Sequence, residues 1–344
     1  MKASKKFIVW ALISLTLQLS LYFYLDKFYF GAESNIKISE ANDIYKAPEI
    51  KPNVAIPTSA YDISVSDDGS YTAYVQNQMV KVFDTNTGKQ VTLDFTSGVQ
   101  CLAYEWVPDT NRMIIAENVS GQIRFFSYNA EKKYKEEVKD YINGKANTIS
   151  VGRNNVKVGM QMSVLTGVMY IKVSFVTGRA RIYRLDVNEE LTRVATVTDQ
   201  IGKFDITSRE DDLIYEDSSS GRVRSTKIRS NLIADGNTSL KLLGVDENNN
   251  VYVSYRTDKI NKIFYGQVTS SGSNLKTVNL GLSCDSNNIV ISSGGNIYLV
   301  DALNSNLVNL KNNTKYKYSG KFIGLFSDRI ASVSNNKLVL QTID

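Results

Sequence analysis

Between Ser64 and Leu93 the chain alternates short apolar runs with short polar ones, SVSDDGSYTAYVQNQMVKVFDTNTGKQVTL. Tyr71-Thr72-Ala73-Tyr74-Val75 and Met79-Val80-Lys81-Val82-Phe83 are the apolar runs. Asp67-Asp68-Gly69, Gln76-Asn77-Gln78 and Asp84-Thr85-Asn86-Thr87-Gly88 punctuate them. Runs rich in Val, Tyr, Thr and Phe bounded by Asp, Asn and Gly predict strands joined by hairpins, because those turn residues tolerate left-handed dihedrals. Adding Tyr61-Asp62-Ile63-Ser64-Val65 before and Val91-Thr92-Leu93 after gives a four-stranded meander. One such sheet cannot cover both of its own faces, so it requires neighbours.

Weak copies supply them. YVQNQMVKVFDTNTGKQVTL, from Tyr74, lies without a gap over ISSGGNIYLVDALNSNLVNL, from Ile291, with Val80, Val82, Asp84, Val91 and Leu93 over Ile297, Leu299, Asp301, Val308 and Leu310. Tyr61-Asp62-Ile63-Ser64 recurs as Phe204-Asp205-Ile206-Thr207, again before an acidic turn, Glu210-Asp211-Asp212. Ser120-Gly121, Thr177-Gly178 and Ser220-Gly221 each open an Arg-bearing segment. These anchors place unit starts near Tyr61, Gln100, Val156, Ile201, Leu240, Asn288 and Phe322, a spacing close to the roughly 40–45 residues of a propeller blade. The predicted fold is all-β: a β-propeller of seven four-stranded blades, with six the alternative, over residues 52–344. Radial packing of sheets covers their faces and closure shelters their edges. The last unit has room for three strands, and Asn53-Val54-Ala55-Ile56 is expected to supply the fourth and lock the ring.

The segments SVSDDGSYTAYV and YEWVPDTNRMIIAE resemble the strand-turn-strand elements of TolB-like and WD40-like propellers, in which a Ser-x-Asp-Gly or Trp-x-Pro-Asp turn precedes a buried strand. The resemblance covers the chain from about Asn53 onward and implies a fold, not an activity.

The N-terminus adds a second element. Lys2, Lys5 and Lys6 precede an uncharged run from Phe7 to Leu25, about 19 residues, near the length one helix needs to cross a hydrocarbon core. The reading is a basic cytoplasmic tail (1–6), a transmembrane signal-anchor helix (7–25) and a stalk (26–51). The lysines stay inside and the propeller lies outside a cytoplasmic membrane. The small-residue site Phe30-Gly31-Ala32 carries a bulky Phe30, which favours an uncleaved anchor over a removed signal peptide. Ser14 and Gln18, one helical turn apart, are candidate contacts to a partner helix in the membrane. The alternative is that such polar groups are satisfied on their own backbone.

Composition excludes more than it assigns. The 344 residues contain no histidine, which removes Ser-His-Asp, Cys-His and His-zinc chemistry. No phosphate loop, dinucleotide fingerprint or G-x-S-x-G elbow is present, and no catalytic, cofactor or metal residue is assigned. Asp84 to Gly88 resembles a calcium loop only at its start, since Phe95 stands where a bidentate carboxylate is needed. Cys101 and Cys284 fall in separate units and read as unpaired and buried. Trp106 beside Tyr104 has two readings, a sugar platform or, more in keeping with Pro108, a ring packed between blades. A net charge of +5 is slight for this length and does not point to nucleic acid.

Arg124, Arg181 and Arg224 occupy one aligned position in three successive units, with Arg179 and Arg222 two residues earlier. Such arginines form either a basic arc for an anionic partner or ordinary solvated charge paired with neighbours such as Glu216 and Asp217. Three functions follow. The leading expectation is a non-catalytic, membrane-anchored scaffold for protein partners in bacterial cell-envelope or polysaccharide assembly. A bacterial source is inferred from the Lys, Asn and Ile richness together with the anchor. The second is a binding protein for an anionic or carbohydrate wall polymer. The third is a carbohydrate-active enzyme, which requires two carboxylates facing each other in the central cavity.

Overall fold

A computed structural model describes residues 2–25, 50–91, 99–152, 155–163, 165–228, 231–269 and 272–343. The chain divides into two compact units, Met1–Glu49 and Ile50–Asp344. The second consists of seven antiparallel sheets in chain order, each a meander running from an innermost to an outermost strand. Their first strands are Tyr61–Val65, Gln100–Val107, Val156–Met162, Ile201–Ile206, Leu240–Val245, Ile289–Ile291 and Lys321–Phe326. The strand starts thus match the expected units to within one residue, and the count is seven rather than six.

Four blades depart from the expected four strands, each for a local reason. In blade 2 the outer strand is split into Tyr134–Glu137 and Thr148–Ser150, both pairing with Gln122–Asn129 around an insertion at 138–147. Blade 5 prolongs its third strand, Lys259–Thr269, into an extra pairing with Gly272–Ser273. Blade 4 keeps three strands and replaces the fourth by an isolated bridge between Arg224 and Asn231. Blade 7 has three strands of its own, and the N-terminal segment completes it as expected. Ala55 bridges Lys337, Leu338 donates its N–H to the Val54 carbonyl at 3.0 Å, and Ile56 donates to Asn336 at 2.8 Å. Asn53 also donates to the Thr85 carbonyl of blade 1. Gly88, at φ +68°, permits that approach, because a Cβ there would stand 2.1 Å from the Asn53 oxygen.

The core is divided into seven apolar layers, one between each pair of adjacent blades. Val82, Trp106 and Met113 lie between blades 1 and 2, and Phe125, Ile171 and Val173 between 2 and 3. The series runs on round the ring to Val54, Tyr74, Ala331 and Leu338 between blades 7 and 1. Each fully buried Val, Leu, Ile or Phe contributes about 1.5–3 kcal/mol, and alternation along the strands shares these residues between the two faces of every blade.

Innermost strands of blades 1, 2, 4, 5 and 7 each carry a bulge, read from the register shift near Asp62, Leu102, Lys203, Leu243 and Ile323. A bulge frees a backbone group from the ladder, and here neighbouring blades satisfy several of them. Tyr104 of blade 2 reaches the Asp62 carbonyl, Lys172 of blade 3 the Gly202 carbonyl, and Lys203 of blade 4 the Leu243 carbonyl.

The first unit holds α1 (Lys2–Tyr24). Ser14, Thr16, Gln18 and Ser20 interrupt its apolar run, and Thr16 donates its hydroxyl to the Leu12 carbonyl, the self-satisfied alternative. Among the described residues no helix is long and apolar enough to cross a membrane, so the helix of the expected anchor is present without standing as a span. The expected stalk lies, up to residue 49, outside the described residues, as does Phe95.

Candidate interaction face and central channel

Arg124, Arg181, Arg222 and Arg224 lie on the third strands of blades 2, 3 and 4 and Arg179 just before that of blade 3, but they do not form one open basic surface. Arg224 is largely buried and grips Asp217 through Nε at 2.9 Å and Nη2 at 2.8 Å. Burial raises the Asp217 carboxyl, yet hydrogen bonds from Ser219, Ser220 and Arg224 outweigh it and hold the group well below the usual carboxylate range. Arg124 pairs with Glu137 at 3.3 Å and Arg179 with Asp199 at 3.2 Å. Arg222 stands across the ladder from Asp217. Arg181 lies over the Phe175 ring, 5.3 Å from its centroid.

A different surface is assembled by loops. In an antiparallel meander the turns after the first and third strands emerge on one face, here termed the upper face. Residues 165–168, after the first strand of blade 3, and 186–190, after its third, both lie there. They touch: a Cβ on Gly167 would stand 3.0 Å from Val187 Cγ1. The blade 2 insertion joins them, with the Tyr141 N–H donating to the Asn188 carbonyl at 3.0 Å and Asn147 Nδ2 to that of Glu189 at 2.6 Å. Within the insertion Asp140 accepts from the N–H groups of Ile142 and Asn143 and from Asn143 Nδ2, which holds Tyr141 and Ile142 outward. The result is four large apolar side chains in one sector, Leu165, Val187, Tyr141 and Ile142, exposed by 67, 61, 74 and 78%.

The upper mouth of the central channel opens on the same face as a cavity of about 530 Å³ lined by all seven blades. Met162, Ile206, Val245 and Leu325 make its apolar wall, and Asp67, Asp109, Asp205 and Glu247 its acidic one. Burial raises the Asp67 carboxyl and the nearby Asp109, to which it is hydrogen-bonded, raises it further. Asp205 accepts from the N–H groups of Ile206 at 2.9 Å and Val245 at 3.0 Å, and burial pushes it up to about 6. Glu105, on the first strand of blade 2, is raised to about 8 by burial and then by the charges of Asp62 and Asp205. Burial lowers Lys203, against the pull of Asp205 and Glu216. These carboxylates meet the enzyme reading only in being gathered at the channel. Asp205 is committed to backbone N–H groups, and no side chain there is assigned a catalytic role.

The remaining candidates fall into place as structure. Cys101 and Cys284 are free and buried, as expected, and burial followed by the Glu117 charge pushes the Cys101 thiol up to about 12. Trp106 is buried between blades 1 and 2, which removes it as a sugar platform. Asp84 to Gly88 forms a hairpin turn, with Thr87 donating to Asp84 Oδ1 at 2.8 Å. Among the described residues no three Cys, Asp or Glu side chains stand together as a metal site.

Sequence reading missed the apolar sector and Glu105. A signal existed for the first: Asp140-Tyr141-Ile142-Asn143-Gly144 places two apolar residues inside a turn built of Asp, Asn and Gly. Glu105 lay in plain view within YEWVPD, but only closure of the ring reveals what surrounds it.

A chain of seven radial blades with a terminal strand completing the last has the architecture of WD40-like propellers. The β-propeller domain of Cps50 (Swd1) from Myceliophteria thermophila has this fold at a TM-score of 0.51 and 11% identity, over 86% of this chain and 100% of that one. A chain of the mitotic checkpoint complex (TM-score 0.45, 13% identity, 86% and 85% covered) and Kluyvelomyces marxianus Hsv2 (0.45, 12%, 83% and 97%) are more distant. No known family profile and no curated protein matches the sequence.

Proposed function

We propose that this chain is a non-catalytic scaffold that binds a protein partner through the upper face of its propeller and is tethered to a membrane by α1. The observation that carries the reading is the sector of Leu165, Val187, Tyr141 and Ile142. Large apolar side chains gathered on preorganised loops mark a protein interface, because leaving them in water is costly and their loops lose little freedom on binding. The membrane tether draws on α1, whose described apolar side chains, among them Phe7, Trp10, Leu15, Leu19 and Phe23, are exposed on every side. With lysines at its start, such a helix favours an extracytoplasmic propeller, the position a bacterial envelope or polysaccharide-assembly scaffold would occupy.

A photocrosslinking residue at Ile142 or Val187 of the full-length protein tests the scaffold reading. The expected result is capture of the same protein from both positions, abolished by Tyr141→Ser with Leu165→Ser. Capture from neither position, or capture unchanged in that variant, overturns it. Resistance of the protein to alkaline carbonate extraction, lost on removal of residues 1–25, tests the tether.

Binding of an anionic or carbohydrate polymer is the second reading, and Arg181 favours it, since it has no carboxylate partner among the described residues. It predicts salt-sensitive polymer binding that falls when Arg179 and Arg181 become alanine.

A further inference from the structure

We infer that the outer rim of blade 3 carries a binding site for a phosphate-ester group, built by Arg181 and Arg193 beside an arch of the chain at 194–199. The inference rests on the second reading above, an anionic polymer, and names the group that the polymer presents. The arch comes from the register of the blade's outer pair. Ala180–Leu185 pairs with Leu191–Arg193, and Val194 prolongs the ladder by donating its N–H to the Ile182 carbonyl at 2.9 Å. Continued regularly, the ladder would bring Thr196 opposite Ala180. Asp199 stands there instead, accepting the Ala180 N–H at 2.6 Å, so three residues are extra and the strand bulges. The bulge is drawn toward blade 4, where the Tyr215 hydroxyl accepts the Val197 N–H at 3.2 Å. It is braced from within by the Thr196 hydroxyl, which donates to the Thr198 carbonyl at 2.7 Å. Beside the third strand it leaves a partly open cavity of about 710 Å³, within the range of ligand pockets.

Donors without acceptors gather at this gap. Both polar groups of a residue in an antiparallel ladder face the same neighbour, so the Ile182 N–H points toward the arch like its carbonyl, and among the described residues nothing accepts it. Arg193 stands opposite Tyr183, two residues from Arg181, which makes the arginines diagonal neighbours on one face, roughly 7–8 Å apart. Both are exposed and both line the cavity. Arg181 uses the face of its guanidinium over Phe175, and neither arginine is in an ion pair among the described residues. The carboxylate of the lining, Asp199, is taken by Arg179 at 3.2 Å. Two like charges side by side on a strand face repel one another, and an anion between them removes that cost. A phosphate suits this set better than a carboxylate. Its oxygens are spread tetrahedrally, so two guanidiniums and a backbone N–H can each take one, whereas the two carboxylate oxygens share a plane. A neutral sugar is a poor candidate. Thr196 and Thr198 already engage their hydroxyls within the arch, the second by accepting the Gln200 N–H at 3.0 Å, and no aromatic ring lines the cavity among the described residues.

The test uses the full-length protein in micelles of a neutral detergent and follows phenylglyoxal modification of each arginine by mass spectrometry. Rates at Arg181 and Arg193 report the site, and Arg209, exposed on the upper face, is the control for ionic strength. The probes are inorganic phosphate, poly(glycerol phosphate) and neutral dextran at matched ionic strength, with a parallel set of micelles doped with phosphatidylglycerol. The expected result is at least fivefold protection of Arg181 and Arg193 together by a phosphate probe, with none by dextran and none at Arg209. Arg193→Gln, at an exposed position where folding is not at stake, should remove the protection of Arg181. Protection by inorganic phosphate or poly(glycerol phosphate) supports the site with a soluble ligand, and protection by phosphatidylglycerol alone supports it with a lipid headgroup as the source. No protection, equal protection of Arg209, or protection of Arg181 that survives Arg193→Gln overturns the inference. The site and the polymer reading fail separately. Polymer binding that falls when Arg179 and Arg181 become alanine, with Arg193 unprotected, keeps the polymer and removes the site. Protection of both arginines by inorganic phosphate without polymer binding keeps the site and removes the polymer.

Discussion

Arg224 holds Asp217 through two nitrogens on one carboxylate oxygen, inside blade 4 and largely out of water. A pair of this kind is costly to break because the survivor is left charged and buried. Arg224→Ala should therefore destabilise the propeller by about 3–5 kcal/mol, whereas Arg181→Ala, at an exposed position, should change stability by no more than about 0.5 kcal/mol. Urea denaturation of both variants checks this. Equal effects would mean that the repeat position, and not the Asp217 contact, decides the role of these arginines.

The ring closes through the Ile56 and Leu338 N–H groups. Ile56→Ala should cost about 2–4 kcal/mol from lost burial, and Ile56→Pro about 1–3 kcal/mol more, because the Asn336 carbonyl then loses its donor. Calorimetry should show the proline variant melting earlier than the alanine one.

Glu105 predicts a pH dependence with a definite sign. Its folded value, about 8, lies above the ordinary 4.5, so the folded protein holds a proton that the unfolded chain has released. The stability associated with that proton is complete below about pH 4.5, falls between there and about pH 8, and is then constant, a loss on the order of a few kcal/mol. Glu105→Gln should flatten this slope and be more stable than the parent at pH 8. An unchanged slope would show that Glu105 titrates as an ordinary carboxylate.

Cys101, with its thiol pushed up to about 12, should react with disulfide reagents only when the protein opens. Labelling at pH 8 followed by mass spectrometry should find it unmodified in the folded state and fully modified in denaturant. Rapid labelling of the native protein would place Cys101 at a mobile edge of blade 2.

The blades were readable because their signal is local. Period-two runs and turns such as Asp84 to Gly88 are properties of adjacent residues, and the missing strand of the last unit announced itself by arithmetic. The fates of the arginines were not local: Arg124 and Arg224 meet carboxylates set by strand pairing, and whether a charge is paired is invisible to a repeat alignment. The same holds for the candidate site. Met162, Asp109 and Glu247 sit in three different blades, and nothing along the chain foretells that closure brings them to one mouth.

The strand that completes blade 7 has a consequence in time. Residues 53–56 emerge from the ribosome long before Asn336 to Leu338, their partners in the last blade, at about 5–20 residues per second. Earlier blades can stack as they appear, but the latch waits for the end of synthesis with its apolar Val54 and Ile56 uncovered. A translation stall in blade 6 would thus leave a partly stacked nascent chain that lacks both its last blade and its clasp, the stage at which a chaperone has most to protect.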